Sequence, residues 1–234
     1  MSKVVNPFSH RLGILRDWRH RWFASGPQYT QFLKADILLR EELQRALRGM
    51  FVDAIEFERG AKTLRIIIKT SRPGLIIGRA GEGTTKLKNR ITSFLKKKNL
   101  PTPDIKLDIE EVRSPESSAA IVAYMVAEGL ERRLPFRRVI KQTIEKVMAN
   151  RDVQGVRIGL AGRLGGAEMS RREELKKGRV PLQTFRSDID FARERAHLPY
   201  GEIGVKVWIY KGEVFADRPG NAGAKRTSAP SARS

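Results

Sequence analysis

The sequence contains no cysteine and only three histidines, at His10, His20 and His197. Without cysteine the chain cannot form a disulfide, use a thiol as a nucleophile or bind a metal through thiolates. No two of the histidines have the spacing that places side chains on one helix face, so a histidine-built zinc site is not expected. We expect no metal and no other cofactor.

Long apolar segments are also absent. The longest apolar run, residues 119–127, has about half the length that a helix needs to cross a bilayer. The N-terminus lacks the apolar stretch of a secretory signal. Its arginines, at Arg11, Arg16, Arg19 and Arg21, give it a weak likeness to an organellar transit peptide.

Acidic residues are scarce relative to basic ones. Lys and Arg total 46 against 26 Asp and Glu, which gives a net charge of +20. Such a surface attracts polyanions, whereas the surfaces of merely soluble proteins usually mix the two signs more evenly. Membrane-surface binding normally needs a basic helix with bulky apolar side chains or a lipid, and the sequence has no lipidation motif. The charge therefore favours nucleic acid as the partner.

Residues 36–113 have the pattern of a small mixed domain. A helical stripe is followed by two strand-like runs around a turn, a one-turn helix, a glycine loop, an amphipathic helix and a last strand. Apart from the one-turn helix, the predicted elements cover residues 36–49, 51–58, 63–69, 82–98 and 104–112. The preceding residues, 1–35, are interpreted as an N-terminal extension.

Residues 114–216 are predicted to form a second domain, in which two helices pack on a β-sheet. The helices are expected at 117–133 and 136–149, and the strands at 155–162, 179–185 and 204–212. The tail, 217–234, has almost no large apolar residue and is expected to be disordered. The fold class predicted for the whole chain is α+β.

The stretch RPGLIIGRAGEGTTKLKN, residues 72–89, is rich in glycine. The motif G-x-x-G alone is weak, because it occurs five times in the chain. A nucleotide P-loop would need lysine in place of Thr84, and a dinucleotide fingerprint would need glycine in place of Ala80. A K-homology loop, which lies between two helices and holds about four nucleotides of single strand, fits the surrounding pattern.

The candidate RNA-binding loop consists of Gly78, Arg79, Ala80 and Gly81. Its glycines would let a sugar–phosphate backbone approach without a Cβ clash, and the next helix would offer unpaired N–H groups at its positive end. Ile76 and Ile77 are expected to form one wall of an apolar groove for the bases. A tight turn between helices without a ligand is the alternative, and it stays open.

The order helix, strand, strand, helix, loop, helix, strand resembles a type II K-homology domain. The chain also resembles the bacterial-type small-subunit ribosomal protein S-three family from Asn6 to about Gly212. The blocks that carry this resemblance are NPFSHRLGI, TSRPGLIIGRAGE, LERRLPFRRVIKQ, GRLGGAEMSRREELKKGRVPLQTFRSDIDFA and YGEIGVKVWIYKGE. Since HRLGI lies inside the family's N-terminal pattern, the resemblance argues against a transit peptide.

The resemblance implies a structural protein in the head of the small ribosomal subunit. The implied partners are small-subunit ribosomal RNA, messenger RNA, the head proteins S-ten and S-fourteen, and the entrance-channel proteins S-four and S-five. The chain would line the channel through which messenger enters and help to position and unwind it. We expect a cytoplasmic, ribosome-bound protein, with an organellar ribosome left open.

The helix predicted at 136–149 carries a second candidate site. Its apolar residues gather on one face, and Arg137, Arg138 and Lys141 fall together on another. By itself this pattern could be a solvated helix face. The resemblance implies that the three cations line the messenger entrance and support unwinding, with Arg132 and Arg133 one turn upstream adding to the field.

A third group of basic residues has acids interleaved with it. A charged surface helix with i,i+4 pairs would explain the pattern, whereas the resemblance implies contacts with the ribosomal RNA backbone. The candidates are Arg163, Arg171, Arg172, Lys176, Lys177 and Arg179.

Two other classes of function compete with this interpretation. A free-standing K-homology regulator of messenger or small RNA is disfavoured by the nearly full-length resemblance. A nuclease could hold Mg²⁺ between Asp188 and Asp190, which alternate in SDID and could face one way on a strand. Ion-paired carboxylates are far commoner than such metal pairs, and we expect no catalytic residue and no enzyme activity.

Overall fold

The structure, a computed structural model, describes residues 5–60 and 63–215. The tail predicted to be disordered, 217–234, lies outside these residues. The first half contains α1 (Pro7–His10), β1 (His20–Arg21), α2 (Pro27–Ala46), β2 (Val52–Arg59), β3 (Thr63–Thr70), α3 (Pro73–Ile77), α4 (Glu82–Lys97) and β4 (Asp104–Glu111).

The strands of the first half form one sheet in the order β1-β2-β3-β4. The pair β2–β3 is antiparallel and the pair β3–β4 is parallel, because α3 and α4 carry the chain back across the sheet. Alternate strand residues, including Phe57 and Ile66, are buried in one cluster with Leu39 of α2 and Leu95 of α4. From α2 onward this is the predicted type II K-homology arrangement.

Helix α2 begins at Pro27, earlier than the predicted start at residue 36. Its extra turns pack against the N-terminal segment, since the ring of Trp22 lies 5.4 Å from Tyr29 and 5.9 Å from Phe32. The indole N–H of Trp22 also donates to Asp36 at 2.8 Å. These tertiary contacts do not follow the helical period, so the sequence pattern could not predict the earlier start of α2.

Residues 114–215 of the second half contain two α-helices and four strands. They are α5 (Ala119–Glu131), α6 (Phe136–Met148), β5 (Gly155–Gly162), β6 (Arg171–Gly178), β7 (Ser187–Leu198) and β8 (Gly201–Glu213). The sheet order is β6-β5-β8-β7, and every neighbouring pair is antiparallel. Both helices pack on one face of this sheet around an aliphatic core, as predicted.

The strand predicted at 179–185 is wrong, because those residues contain no strand and connect β6 to β7. The charged-helix interpretation of the third basic group is also wrong, since residues 171–178 are extended. Strand β6 is an edge strand with charges on both faces, which discourages pairing with other chains and removes the alternation that identifies a strand.

The N-terminal segment contacts both halves of the molecule. Strand β1 pairs with β2 in the first sheet, whereas Arg11 is fully buried against the second half. Its guanidinium donates to the carbonyls of Pro7 (2.9 Å), Leu182 (3.1 Å), Thr184 (2.8 Å) and Ser187 (2.6 Å). Leu182 and Thr184 lie in the irregular connection between β6 and β7, so the hydrogen bonds from Arg11 hold this connection in place.

No helix within the described ranges combines the length and the apolar composition that a membrane crossing requires.

Candidate nucleic-acid interface

Glycines form the sharp connection between α3 and α4. Gly78 has φ of 69° and ψ of −172°, a combination that is essentially confined to glycine, and Gly81 is left-handed with φ of 79°. Between them the backbone makes a single 3-10 turn over Arg79–Gly81. The structure therefore contains the helix–loop–helix that the sequence predicts.

Gly83, outside the G-x-x-G motif, is the glycine on which the helix packing depends. A Cβ at this position would lie 2.2 Å from the carbonyl oxygen of Ile76 and 2.9 Å from that of Ile77. Both distances are far below a van der Waals contact, so α3 and α4 approach as closely as they do only because residue 83 has no side chain. The sequence interpretation missed this role, although the third glycine in GRAGEG was its visible signal.

The loop has groups that suit a phosphate. Arg79 is exposed and, within the described residues, makes no ion pair. The first turn of α4 follows Gly81 without a side-chain cap. The backbone N–H of Glu82 donates to the carbonyl of Arg79, so the N–H groups that follow it are the ones that suit an anion. The expected groove wall needs one correction: Ile76 is 3% exposed and belongs to the core, whereas Leu75 and Ile77 are exposed.

Helix α6 presents a basic face to solvent. Val139, Ile144 and the other apolar residues of its inner face are buried in the second core, and this fixes the orientation of the helix. The predicted cations lie on its exposed side, and within residues 5–60 and 63–215 neither Arg138 nor Lys141 forms an ion pair. These two charges are therefore available to a polyanion.

The structure joins two basic groups that were predicted separately. Glu173 of β6 lies 3.4 Å from Arg137 of α6 and 3.3 Å from Arg171 of β6. Both guanidinium groups also lie over the ring of Phe136, at 5.7 and 5.3 Å from its centroid. We call the surface formed by Arg137, Arg138, Lys141 and Arg171 the α6–β6 basic surface. Glu173 was missed as its organising counter-charge, because no sequence spacing links it to α6.

The remaining candidates of the third basic group have different surroundings. Lys176, Lys177 and Arg179 are exposed, and Arg172 lies 3.7 Å from Glu174. Arg163 is partly engaged within the protein, since it donates to the carbonyls of Ala167 at 2.9 Å and Tyr200 at 3.2 Å. Most cations of the third basic group are therefore open to a ligand. Part of the Arg163 guanidinium is already hydrogen-bonded within the protein.

Arg132 and Arg133 lie where α5 ends. Arg132 is paired with Glu128 at 2.5 Å. Arg133 has φ of 61°, and its backbone N–H donates to the carbonyl of Leu130 at 2.8 Å, as in a helix end that usually carries glycine. Both side chains are exposed near the start of α6.

Asp188 and Asp190 do not form an open metal site. Arg16 lies 2.8 Å from Asp188 and 3.4 Å from Asp190, and Asp190 also accepts from the backbone N–H of Ala119 at 2.8 Å. Within the part of the chain that the structure describes, no group of three or more potential ligands gathers around a metal position. The two carboxylates bind Arg16 and so attach the N-terminal segment to β7. No motif in the sequence predicts this role of Arg16.

The two halves match two known sequence families. Residues 36–117 match the family described as KH domain, and residues 126–209 match Ribosomal protein S3, C-terminal domain. Among similar curated proteins is the small ribosomal subunit protein uS3 of Coxiella burnetii (strain RSA 331 / Henzerling II), 44% identical over 94% of this chain and 93% of its own length. The protein of the same name from Pseudomonas fluorescens (strain Pf0-1) is 44% identical over 93% of this chain and 92% of its own. With the glycine loop in the first matched region and α6 in the second, this chain belongs to the ribosomal protein S3 family.

Proposed function

We propose that the chain is a structural, RNA-binding protein of the small ribosomal subunit and that its α6–β6 basic surface holds messenger RNA as it enters. The observation that carries the proposal is that Arg138 and Lys141 form no ion pair with any described residue and lie on a helix fixed by its buried face. A rigid helix presents these charges to an RNA strand with little loss of backbone freedom.

Membership in the family supports small-subunit ribosomal RNA as the first partner, because the similar proteins are named for that subunit. The head proteins S-ten and S-fourteen and the entrance-channel proteins S-four and S-five are proposed as neighbours. The other exposed cations of β6, Arg172, Lys176 and Lys177, would contact the ribosomal RNA backbone together with Arg179. The loop at 78–81 would hold an RNA strand through its backbone N–H groups and Arg79. The division at residues 35, 113 and 216 also remains a proposal.

The proposed mechanism is passive. Arg137, Arg138 and Lys141 would hold the phosphates of a single strand as it leaves a messenger hairpin, while translocation supplies the work. Arg132 and Arg133, at the end of α5, would extend the positive field. The mechanism requires no catalytic residue and no bound nucleotide.

The test reverses two charges of the surface in Arg138→Glu with Lys141→Glu. Lys96→Glu with Lys97→Glu is the matched control, because these lysines are exposed at the far end of α4 and carry the same total charge. Small subunits carrying either double variant should assemble, but only the α6 variant should slow translation through a stable messenger hairpin. On an unstructured messenger both should behave like the wild type.

Free-protein binding gives a second readout. For a single-stranded oligonucleotide, the slope of log affinity against log salt concentration should become less steep by about 1.4 when two phosphate contacts are lost. If the α6 variant fails to enter subunits while the control succeeds, the surface is a ribosomal RNA contact and the messenger role is wrong.

A further inference from the structure

A cleft of about 930 Å³ lies between the two halves of the molecule. One side is formed by α2, β2 and the residues before β1, and the other by the edge strand β7 and part of β8. Basic side chains from both sides line it and outnumber the carboxylates, among them Arg19, Arg40, Arg45, Arg193 and Lys206. None of the candidate sites predicted from the sequence includes this cleft.

Two of the cleft arginines, Arg19 and Arg40, repel each other, although the charge of Arg19 also attracts Asp53. Arg19 and Arg40 are both partly buried, and within the described residues neither has a carboxylate within 4 Å. Burial lowers the pKa of Arg40, and the positive charge of Arg19 lowers it further. Two like charges that are partly removed from water repel each other, and an anion between them would offset this cost.

Four carboxylates line the cleft, those of Glu41, Asp53, Asp190 and Glu194, and two of them are engaged within the protein. Asp190 pairs with Arg16 and with the backbone of Ala119. Asp53 accepts from the hydroxyl of Ser118 at 2.5 Å, and burial raises its pKa. The cleft therefore keeps an excess of positive charge.

We propose that this cleft is a third RNA-binding site, in which Arg19 and Arg40 grip phosphodiester groups of an RNA strand. The planar guanidinium fork matches a phosphate with two parallel hydrogen bonds. Tyr124 and Phe191, both half-buried, also line the cleft, and aromatic rings stack on bases whatever their sequence. This combination favours RNA over an acidic peptide, which would use the cations but not the rings.

The inference rests on the proposed function only in taking RNA as the ligand. The test uses the full chain and a twelve-nucleotide oligouridine that contains 4-thiouridine, followed by irradiation and mapping of the crosslinked peptides. We expect crosslinks in the wild type at Tyr124 or Phe191. In Arg19→Gln with Arg40→Gln they should fall about a hundredfold, because each of the two lost charge-assisted contacts is worth about a factor of ten.

The control variant Lys96→Gln with Lys97→Gln loses the same charge and should keep the crosslinks in the cleft. Crosslinks at the 78–81 loop and on α6 should survive in both variants. If those two sites crosslink and the cleft does not in the wild type, this inference fails while the proposed function stands. If no site crosslinks, both fail.

Thermal unfolding separates a binding role from a structural one. Without RNA, Arg40→Gln should melt no lower than the wild type, since it removes a repulsion and no ion pair. The oligouridine should raise the melting temperature of the wild type more than that of the variant. A lower melting temperature of Arg40→Gln without RNA, or protection of the cleft by a polyglutamate peptide but not by oligouridine, would overturn the proposal.

Discussion

Replacement of Gly83 by alanine tests the packing of the two helices that hold the glycine loop. The new methyl carbon would lie 2.2 Å from the carbonyl oxygen of Ile76 and 2.9 Å from that of Ile77. Both obstacles are backbone atoms, so no side-chain rotation relieves the clash, and α3 must shift away from α4 by most of an ångström.

The magnitude follows from two opposed effects. Overpacking of this kind costs about 3 kcal/mol when the obstacle is rigid, and alanine regains about 1 kcal/mol over glycine inside a helix. Gly83→Ala should therefore lower the free energy of unfolding of the first half by about 2 kcal/mol. It should also weaken RNA binding at the loop, because the first turn of α4 moves relative to Gly78.

Gly74→Ala is the matched control. Gly74 lies in α3, on the other side of the same loop, and a Cβ there meets nothing within 4 Å. The same chemical change should be neutral or stabilise the protein by about 0.5 kcal/mol. Urea unfolding followed by circular dichroism measures both variants. If Gly83→Ala proves as stable as Gly74→Ala, the close approach of the two helices is refuted.

Two further predictions concern buried charges. Arg11→Met should lower the free energy of unfolding by about 3 kcal/mol, because buried carbonyls lose a charged donor, and Arg11→Lys should recover only part of that loss; comparison of their melting temperatures decides. The pKa of Asp53 is raised by burial, and the hydrogen bond from Ser118 offsets only part of the rise. Its folded state therefore holds the proton more tightly than the unfolded state, and stability is lost as pH rises from the unfolded pKa through the folded one. Asp53→Asn should be more stable than the wild type at pH 7, and equal stabilities at pH 7 in urea unfolding would contradict this.

Much of the fold could be predicted because its signals are local. The alternation in β2, the β-branched apolar run of β3 and the apolar face of α6 come from residues that are buried in a core. Strand β6 could not be identified in this way, because an edge strand that is charged on both faces has no apolar period. Strand β7 was hidden for a related reason: its inner face includes Asp190, which is satisfied by Arg16 far away in the chain.

In the candidate sites, too, local features could be predicted from the sequence and long-range ones could not. The glycine loop and the basic face of α6 are each contained in one short stretch, and the sequence located both. The neighbourhood of Arg137, Glu173 and Arg171, and the cleft with Arg19 and Arg40, bring together residues far apart in the chain. Their spacing carries no signal, so only the folded chain shows them.

The most direct test of the account is crosslinking within intact small subunits that are engaged with a messenger. The RNA partners of α6, at Arg137, Arg138 and Lys141, would be mapped separately from those of Arg79 in the glycine loop. We expect messenger at α6 and ribosomal RNA at the loop. Messenger captured at the loop alone, with none at α6, would contradict it.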